Sequence, residues 1–409
     1  MTSLFTAIPG FESFLCILFA VALYCLYCYL VRPLDLIRRN GELGFSHDER
    51  RRHKNLSQLS ARIHKLRQIG DIPPVYPNGW FCIALSSDVK NGQIKAIDFM
   101  GTKLTLFRSH SGSMHLTDSY CPHLGASFNI GGKCVRIPYA SKETAIPQKA
   151  EVNVWTVAER NKHVYVWYHC DGCGPLWEIP RIEEIESGAW KYGGKTEHEI
   201  QCHIQEVPEN GADVAHLNYL HRSGINYGND ITRIELNKDD PLIMHKWLAS
   251  WDQMEGDEKH ISVMRLDQVM SLKGWEIPFT RTYLKAYQIG PGIVHMHLDF
   301  GVFGSGVVLQ HITPERPLFQ RARFVMYGKT SAAFAKFFLL SEAKHFERDI
   351  FIWSSKKYVR SPLYIKDDGP ISRHRRWYSQ FYNGNSPRLE NGKLINVKKD
   401  NCIDSEDLF

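Results

Sequence analysis

The 409 residues lack any internal repeat or low-complexity tract, which excludes repeat arrays and collagen-like or disordered chains. No G-x-G-x-x-G follows a strand-like run, since Gly304-Ser-Gly306 continues into Val-Val-Leu, so the chain has no dinucleotide fingerprint of its own. There is one C-x-x-C, Cys170-Asp-Gly-Cys173, and no second to complete a four-thiolate zinc ribbon, so these read as free thiols after a strand. Charge imbalance is also absent outside one segment. Between Arg32 and Ile69 ten Lys/Arg face four acids, which accounts for the whole net charge of +6. The balanced remainder offers no basic face for nucleic acid.

Charge is missing altogether from Phe14 to Val31, a run of 18 residues. That is about the minimum for crossing a hydrocarbon core roughly 30 Å thick. Arg32, Arg38 and Arg39 follow the run, while Glu12 is the charge that precedes it. This asymmetry predicts a single-pass anchor over 1–31 with the bulk of the chain on the cytosolic side, as in an endoplasmic-reticulum protein. Cys16, Cys25 and Cys28 belong to the anchor, and the other seven cysteines, on the cytosolic side, read as thiols rather than as a disulfide framework. Residues 32–75 read as a basic juxtamembrane helix or linker, ended by Pro73, Pro74 and Pro77.

What is present is ample apolar content and a change of pattern. From 76 to 180 the signal is β: Ile94-Lys-Ala-Ile-Asp-Phe before a turn at Gly101, alternating Leu104 and Leu106, and Val164-Tyr-Val-Trp-Tyr beyond a turn at Asn161-Lys162. From 181 to 409 the pattern is mixed. Ala212 to Leu220 is helix-like, Gly292 to Gln310 holds apolar strand runs, and Ala332 to Tyr358 reads as a long amphipathic helix. The expected architecture is an N-terminal transmembrane helix, an all-β domain, and an α+β helix-grip-like domain whose strands curve round a helix and enclose an apolar pocket.

Three constellations carry chemistry. Cys121-Pro-His123 sets a thiolate and an imidazole one residue apart, a pairing able to reach both irons of a Rieske [2Fe–2S] cluster, where two His replace two Cys on one iron. Asp213-Val-Ala-His216 followed by His221 offers two imidazoles near a carboxylate. On an ideal helix His221 points about 140° away from His216, so any helix here must end or distort near Asn218 if one metal is to take both. Two His and one carboxylate form the facial triad of non-haem Fe(II) oxygenases. The third ligand is sought on the helix around Phe346, Ile350 and Trp353, whose apolar stripe includes Asp349. A carboxylate there is buried, and buried charges are paired or bound to metal. Glu342 shares that face and is the runner-up, whereas Glu347 points elsewhere.

Together, C-P-H, then D-x2-H-x4-H, then a buried Asp 128 residues after His221 resemble the Rieske non-haem iron oxygenases over nearly the whole chain after Gly70. The Glu209-Asn-Gly-Ala-Asp213 run, the anchor and the Asp368–Tyr382 tail resemble the Neverland-type cholesterol 7-desaturases, and more distantly bacterial ketosteroid 9α-hydroxylases. The resemblance implies Cys121 and His123 as cluster ligands and His216, His221 and Asp349 as ligands of a mononuclear Fe(II). It implies Asp213 as the bridge to a cluster of a neighbouring subunit, hence a homotrimer. It further implies conversion of cholesterol to 7-dehydrocholesterol with O2 and NAD(P)H electrons from a separate reductase. The alternatives are a ketosteroid hydroxylase-type monooxygenase and a membrane-tethered sterol-binding protein without a cluster.

One departure from the family pattern is plain in the residues. A Rieske cluster takes two Cys and two His, and no C-x2-H follows Gly132: Cys134 is followed by Val-Arg-Ile and Cys170 by Asp-Gly-Cys. The glycine pair Gly131-Gly132 runs straight into Lys133-Cys134. The segment bearing the second ligand pair is expected to be missing from between Gly132 and Lys133.

Overall fold

The computed structural model describes residues 11–121, 152–224, 228–232 and 241–395. Helix α1, Phe11–Leu30, is 20 residues long, or about 30 Å at 1.5 Å per residue. None of its Ser13–Leu30 window is buried. Its C-terminal end meets the helix that carries Lys336, which donates to the Cys28 carbonyl, and the rest is an apolar surface of the kind lipid covers.

The segment after α1, read as a basic helix or linker, contains helices and also a strand that joins the large sheet. Strand β1, Leu34–Arg38, pairs in parallel with β9, Lys191–Ile200, from Leu34↔Gly194 to Arg38↔His198. Leu43 and Phe45 are buried, and helices α2, His47–Arg52, and α3, Leu56–Leu66, follow. A five-residue strand gives too short an alternation to stand out beside an 18-residue apolar run. Its place on the sheet is secured from outside, where Arg38 pairs with buried Glu347 at 3.0 Å.

Two small sheets come next. One has the order β2-β8-β7, with β2 at Gly79–Leu85, β7 at Val157–Arg160 and β8 at His163–Tyr168. The other runs β3-β4-β5-β6, from Ile94–Phe99 through Thr102–Arg108 and Met114–Asp118 to Val154–Trp155. The turns fall where the sequence places them. Met100 and Gly101 close β3–β4, and Asn161 and Lys162 close β7–β8, all four at positive φ. Paired positive φ matches the twist of a two-residue hairpin. Leu104 and Leu106 are fully buried between the sheets.

The second half is built on a large sheet with the order β1-β9-β16-β15-β14-β13-β11-β10 and the short β12, Trp275–Glu276, paired to β11. Its other members are β10, Ile243–Gln253, β11, Ile261–Leu272, β13, Thr282–Ile289, β14, Ile293–Asp299, β15, Ser305–Arg316, and β16, Phe319–Gly328. The long helix Ala332–Ser355 is capped by Ser331, whose hydroxyl accepts from the Phe334 N–H. It lies on this sheet through Leu339, Phe346, Ile350 and Trp353, all buried in one core with Phe324 and Met326. The mixed α+β reading therefore holds, and the helix sits where a strand-enclosed pocket needs a wall.

Candidate active site

The site is assembled from two segments that the fold brings against the long helix. The first is the stretch from Glu206 to His221. Instead of one helix over 212–220, it forms a single turn at Glu206–Glu209, an irregular link, and a second turn at Leu217–Leu220. His216 stands at the N-terminal cap of that second turn and His221 at its C-terminal cap. The distortion that two imidazoles need is thus supplied by a helix only one turn long, and their rings sit 5.0 Å apart.

The second segment is the helix turn carrying Asp349. Its Oδ1 lies 3.2 Å from His221 Nε2 and 3.9 Å from His216 Nε2. Neither approach is a hydrogen bond, and Asp349 Oδ1 is left buried without a partner, as is His221 Nδ1. One ligand atom from each of the three residues falls within 4.8 Å of the others. Burial pushes the Asp349 carboxyl up to about 7, against the lowering influence of His216 and of an Asn210 hydrogen bond. Burial likewise holds His221 well below the usual imidazole range. An orphaned carboxylate oxygen beside two imidazoles is the donor set a divalent iron takes.

Asp213 has a local role. Its backbone carbonyl accepts from His216 Nδ1, and its carboxylate accepts from the His216 backbone N–H at 3.3 Å. A proton on Nδ1 leaves Nε2 free as the ligand nitrogen. Glu347 is turned away, as expected, and is held by Arg38, Lys344 and Asn229. Glu342 lines the same cavity as Asp349, with its carboxyl pushed up to about 7 by burial and then by the Asp349 charge. Among the cluster residues, Cys121 is half-buried at the end of the described stretch. His123 and the junction at 132–133 lie outside the described residues.

Sequence reasoning missed two supports. Arg348 is fully buried and donates to the carbonyls of Leu220, Ser223, Gly224 and Gly228 at 2.8–3.2 Å. It therefore ties the loop that carries His221 to the helix that carries Asp349. Arg348→Met should destabilise the fold by about 3 kcal/mol or more, because several buried carbonyls lose their donor at once. Thermal unfolding together with iron content measures this, with both expected to fall. The other support is Arg375, which grips Glu209 through two hydrogen bonds of 2.7 and 2.9 Å. The Glu209–Asp213 run and the C-terminal tail are thus partners in space.

The triad lies in the wall of a cavity lined by apolar side chains such as Trp247, Trp251, Leu266, Leu284, Met296 and Phe324. Polar side chains reach it as well, among them Asn210, Gln268, Gln288, Gln310 and Glu342. Two of them are already engaged, Gln268 with His245 at 2.8 Å and Gln288 with His374 at 3.2 Å. A mainly apolar chamber with a metal-ligating cluster in its wall suits a mostly hydrocarbon substrate.

Comparison with known proteins fits this geometry. Residues 79–147 match the Rieske [2Fe-2S] domain, and residues 166–382 match the 3-ketosteroid 9alpha-hydroxylase C-terminal domain. A cholesterol 7-desaturase of Caenorhabditis elegans is 48% identical, with 90% of this chain and 92% of that one aligned. The chain belongs to the cholesterol 7-desaturase family. A Xenopus laevis member is 37% identical over 88% of this chain and 83% of its own. The 3-ketosteroid-9-alpha-monooxygenase oxygenase component of Rhodococcus rhodochrous is more distant, at 25% identity over 76% of this chain and 85% of its own. In fold the chain is similar to dicamba monooxygenase, with a TM-score of 0.53 at 15% identity over 76% of this chain and 98% of that one.

The family alignments also show a difference in internal length. A Ciona intestinalis desaturase, 36% identical, aligns over 424 positions, more than the chain's own 409 residues and only 96% of it. With the Caenorhabditis relative, 396 positions are matched by 90% of 409, about 368 residues, leaving about 28 positions opposite gaps in this chain. Family members therefore carry internal residues that this chain does not. The Rieske ligand set present here, one Cys and one His at the proper spacing, does not fit a complete cluster.

Proposed function

We propose that this protein is a membrane-tethered sterol 7-desaturase, acting on cholesterol to give 7-dehydrocholesterol, with His216, His221 and Asp349 holding a mononuclear Fe(II). The observation that carries this reading is the His-His-Asp cluster in the wall of a mainly apolar cavity, in a chain 48% identical to a cholesterol 7-desaturase. When bound, the ferrous ion supplies O2 activation beside the substrate. The chain's own residues do the rest. Trp247, Leu284 and Phe324 bind and orient the sterol rings and keep water from them. The Asp213 carbonyl holds the His216 proton at Nδ1, and Arg348 fixes the His221 loop.

The same reading makes O2 and a separate NAD(P)H-fed reductase the partners, and a homotrimer the assembly, with half-exposed Asp213 at the subunit boundary. It sets the catalytic part on the cytosolic face of the endoplasmic reticulum. Cys121 and His123 by themselves supply half of the ligands that a Rieske cluster takes. That shortfall favours a second reading for the chain as written: a tethered protein that binds sterol and does not turn it over.

Product analysis of a form with the ligand set completed tests the activity. With reductase, O2 and cholesterol, the sterol extract should contain 7-dehydrocholesterol, and a hydroxylated sterol in its place would assign the chain to the hydroxylase class. Localisation has its own check. A chain starting at Arg32 should become largely soluble, since its basic residues add only about 1 kcal/mol each near an anionic surface. Pelleting of that truncated chain with membranes after a salt wash would defeat the single-anchor reading.

A further inference from the structure

A second cluster of ligand-type side chains lies where the β2-β8-β7 sheet packs on the large sheet, apart from the triad. Cys82 of β2, His163 of β8 and His311 of β15 each offer an atom within 4.8 Å of the other two. All three are at most 1% exposed. The backbone aims them there: the β2–β8 register slips between Cys82 and Ala84, and such a bulge redirects a side chain. Thr313 next to His311 donates to the Cys82 carbonyl at 2.6 Å, so the two sheets are tied at this point.

The hydrogen bonds already made leave the remaining nitrogens bare. His163 Nδ1 lies 2.7 Å from the Asn161 carbonyl, which can only accept, so that nitrogen carries the proton and Nε2 keeps a lone pair. His311 Nε2 meets the Tyr165 hydroxyl at 3.0 Å. Both His163 Nε2 and His311 Nδ1 are buried with no partner. A buried nitrogen without a partner costs about 1–3 kcal/mol, and two of them on histidines clustered with one thiol call for an explanation. A carbonyl or hydroxyl behind each imidazole is the outer support that metal-bound histidines have.

We infer that Cys82, His163 and His311 form a buried zinc-class metal site that staples the N-terminal β region to the catalytic sheet. A closed structural zinc takes four ligands. The fourth would come from solvent or from His295, which is 2% exposed with an unpartnered Nε2 and lies on β14, diagonal to His311 in the Ile293↔His311, His295↔Leu309 register, although outside the 4.8 Å group of the other three. Burial keeps His163 near 4 and His295 near 3, so these imidazoles are neutral, as ligands must be. Cys82 is pushed up to about 11 by burial, with Arg323 acting the other way, so the bare site holds a thiol. Metal binding releases that one proton to solvent, and the thiolate formed accepts from Arg323, whose Nη1 is 3.8 Å from the sulfur.

The test is metal content of the full-length, detergent-solubilised chain carrying His216→Ala and His221→Ala, so that the catalytic centre retains no metal. After exposure to Zn2+ and dialysis against a weak chelator, about one zinc per chain should remain, and Cys82→Ser added to that background should remove it. Cobalt(II) in place of zinc should give a sulfur-to-cobalt charge-transfer band that Cys82→Ser abolishes. Absence of retained zinc in the parent chain, which needs no further variant to fold, overturns the site. So does zinc that persists in Cys82→Ser, since it must then be bound elsewhere.

Discussion

His216→Ala or Asp349→Ala, made in a form with the cluster ligands completed, should abolish desaturation and lower affinity for the mononuclear iron by more than about 100-fold, because even outer-shell changes cost 10–100-fold. The geometry makes the prediction specific. Asp349 Oδ1 is buried with no hydrogen-bond partner and lies 3.2 and 3.9 Å from the two imidazoles, so removing it takes away the one anionic ligand the site has. Glu347→Gln should leave iron bound, since that side chain is spent on Arg38 and Lys344. Its cost appears in stability instead, through the loosened β1 strand. Glu342→Gln should also retain iron, although its carboxyl shares the cavity. Iron determination on the four purified variants decides the matter, and loss of iron from Glu342→Gln alone would make that residue the third ligand.

Asp349 was legible because a helix of period 3.6 places it on the stripe of Phe346, Ile350 and Trp353, and a charge on an apolar stripe must be accounted for. The two hairpin turns were legible for a similar reason, since their flanking alternation leaves only one place to reverse. The path between Asp213 and His221 was not. Propensity over 212–220 favours helix, whereas the structure divides the stretch into two single turns. Arg348 stayed hidden because its partners are backbone carbonyls, which leave no mark on sequence. Glu209 and Arg375 are separated by 166 residues, and nothing local signals their pairing. The cluster of Cys82, His163 and His311 was equally invisible, coming from three strands of two sheets.

The second large effect concerns electron supply. As written, the chain should hold no stable [2Fe–2S] cluster and should not turn over sterol, even where Fe(II) and cholesterol bind. The ground is ligand count. A Rieske cluster takes two Cys and two His, and Cys121 and His123 provide one of each. His169, Cys170 and Asp171 form the other partly buried ligand group among the described residues. It is anchored elsewhere, with the Cys170 backbone N–H bonded to Asn78 at 2.9 Å and its thiol to Asn383 at 3.0 Å. It also lies 46 residues beyond His123 in sequence. Cys173 is disulfide-bonded rather than the free thiol read from the sequence, so it offers no thiolate. Insertion of a family segment containing C-x2-H between Gly132 and Lys133 should restore both the cluster and turnover, since the remaining ligands, the triad and the cavity are in place.

The reduced EPR spectrum of the anaerobically reconstituted protein tests this account most directly, recorded side by side for the chain as written and for the chain with the inserted segment. The account predicts a Rieske signal, and 7-dehydrocholesterol on addition of reductase, O2 and cholesterol, from the second protein alone. A Rieske signal from the unmodified chain would contradict it and would transfer the ligand role to residues 169–173.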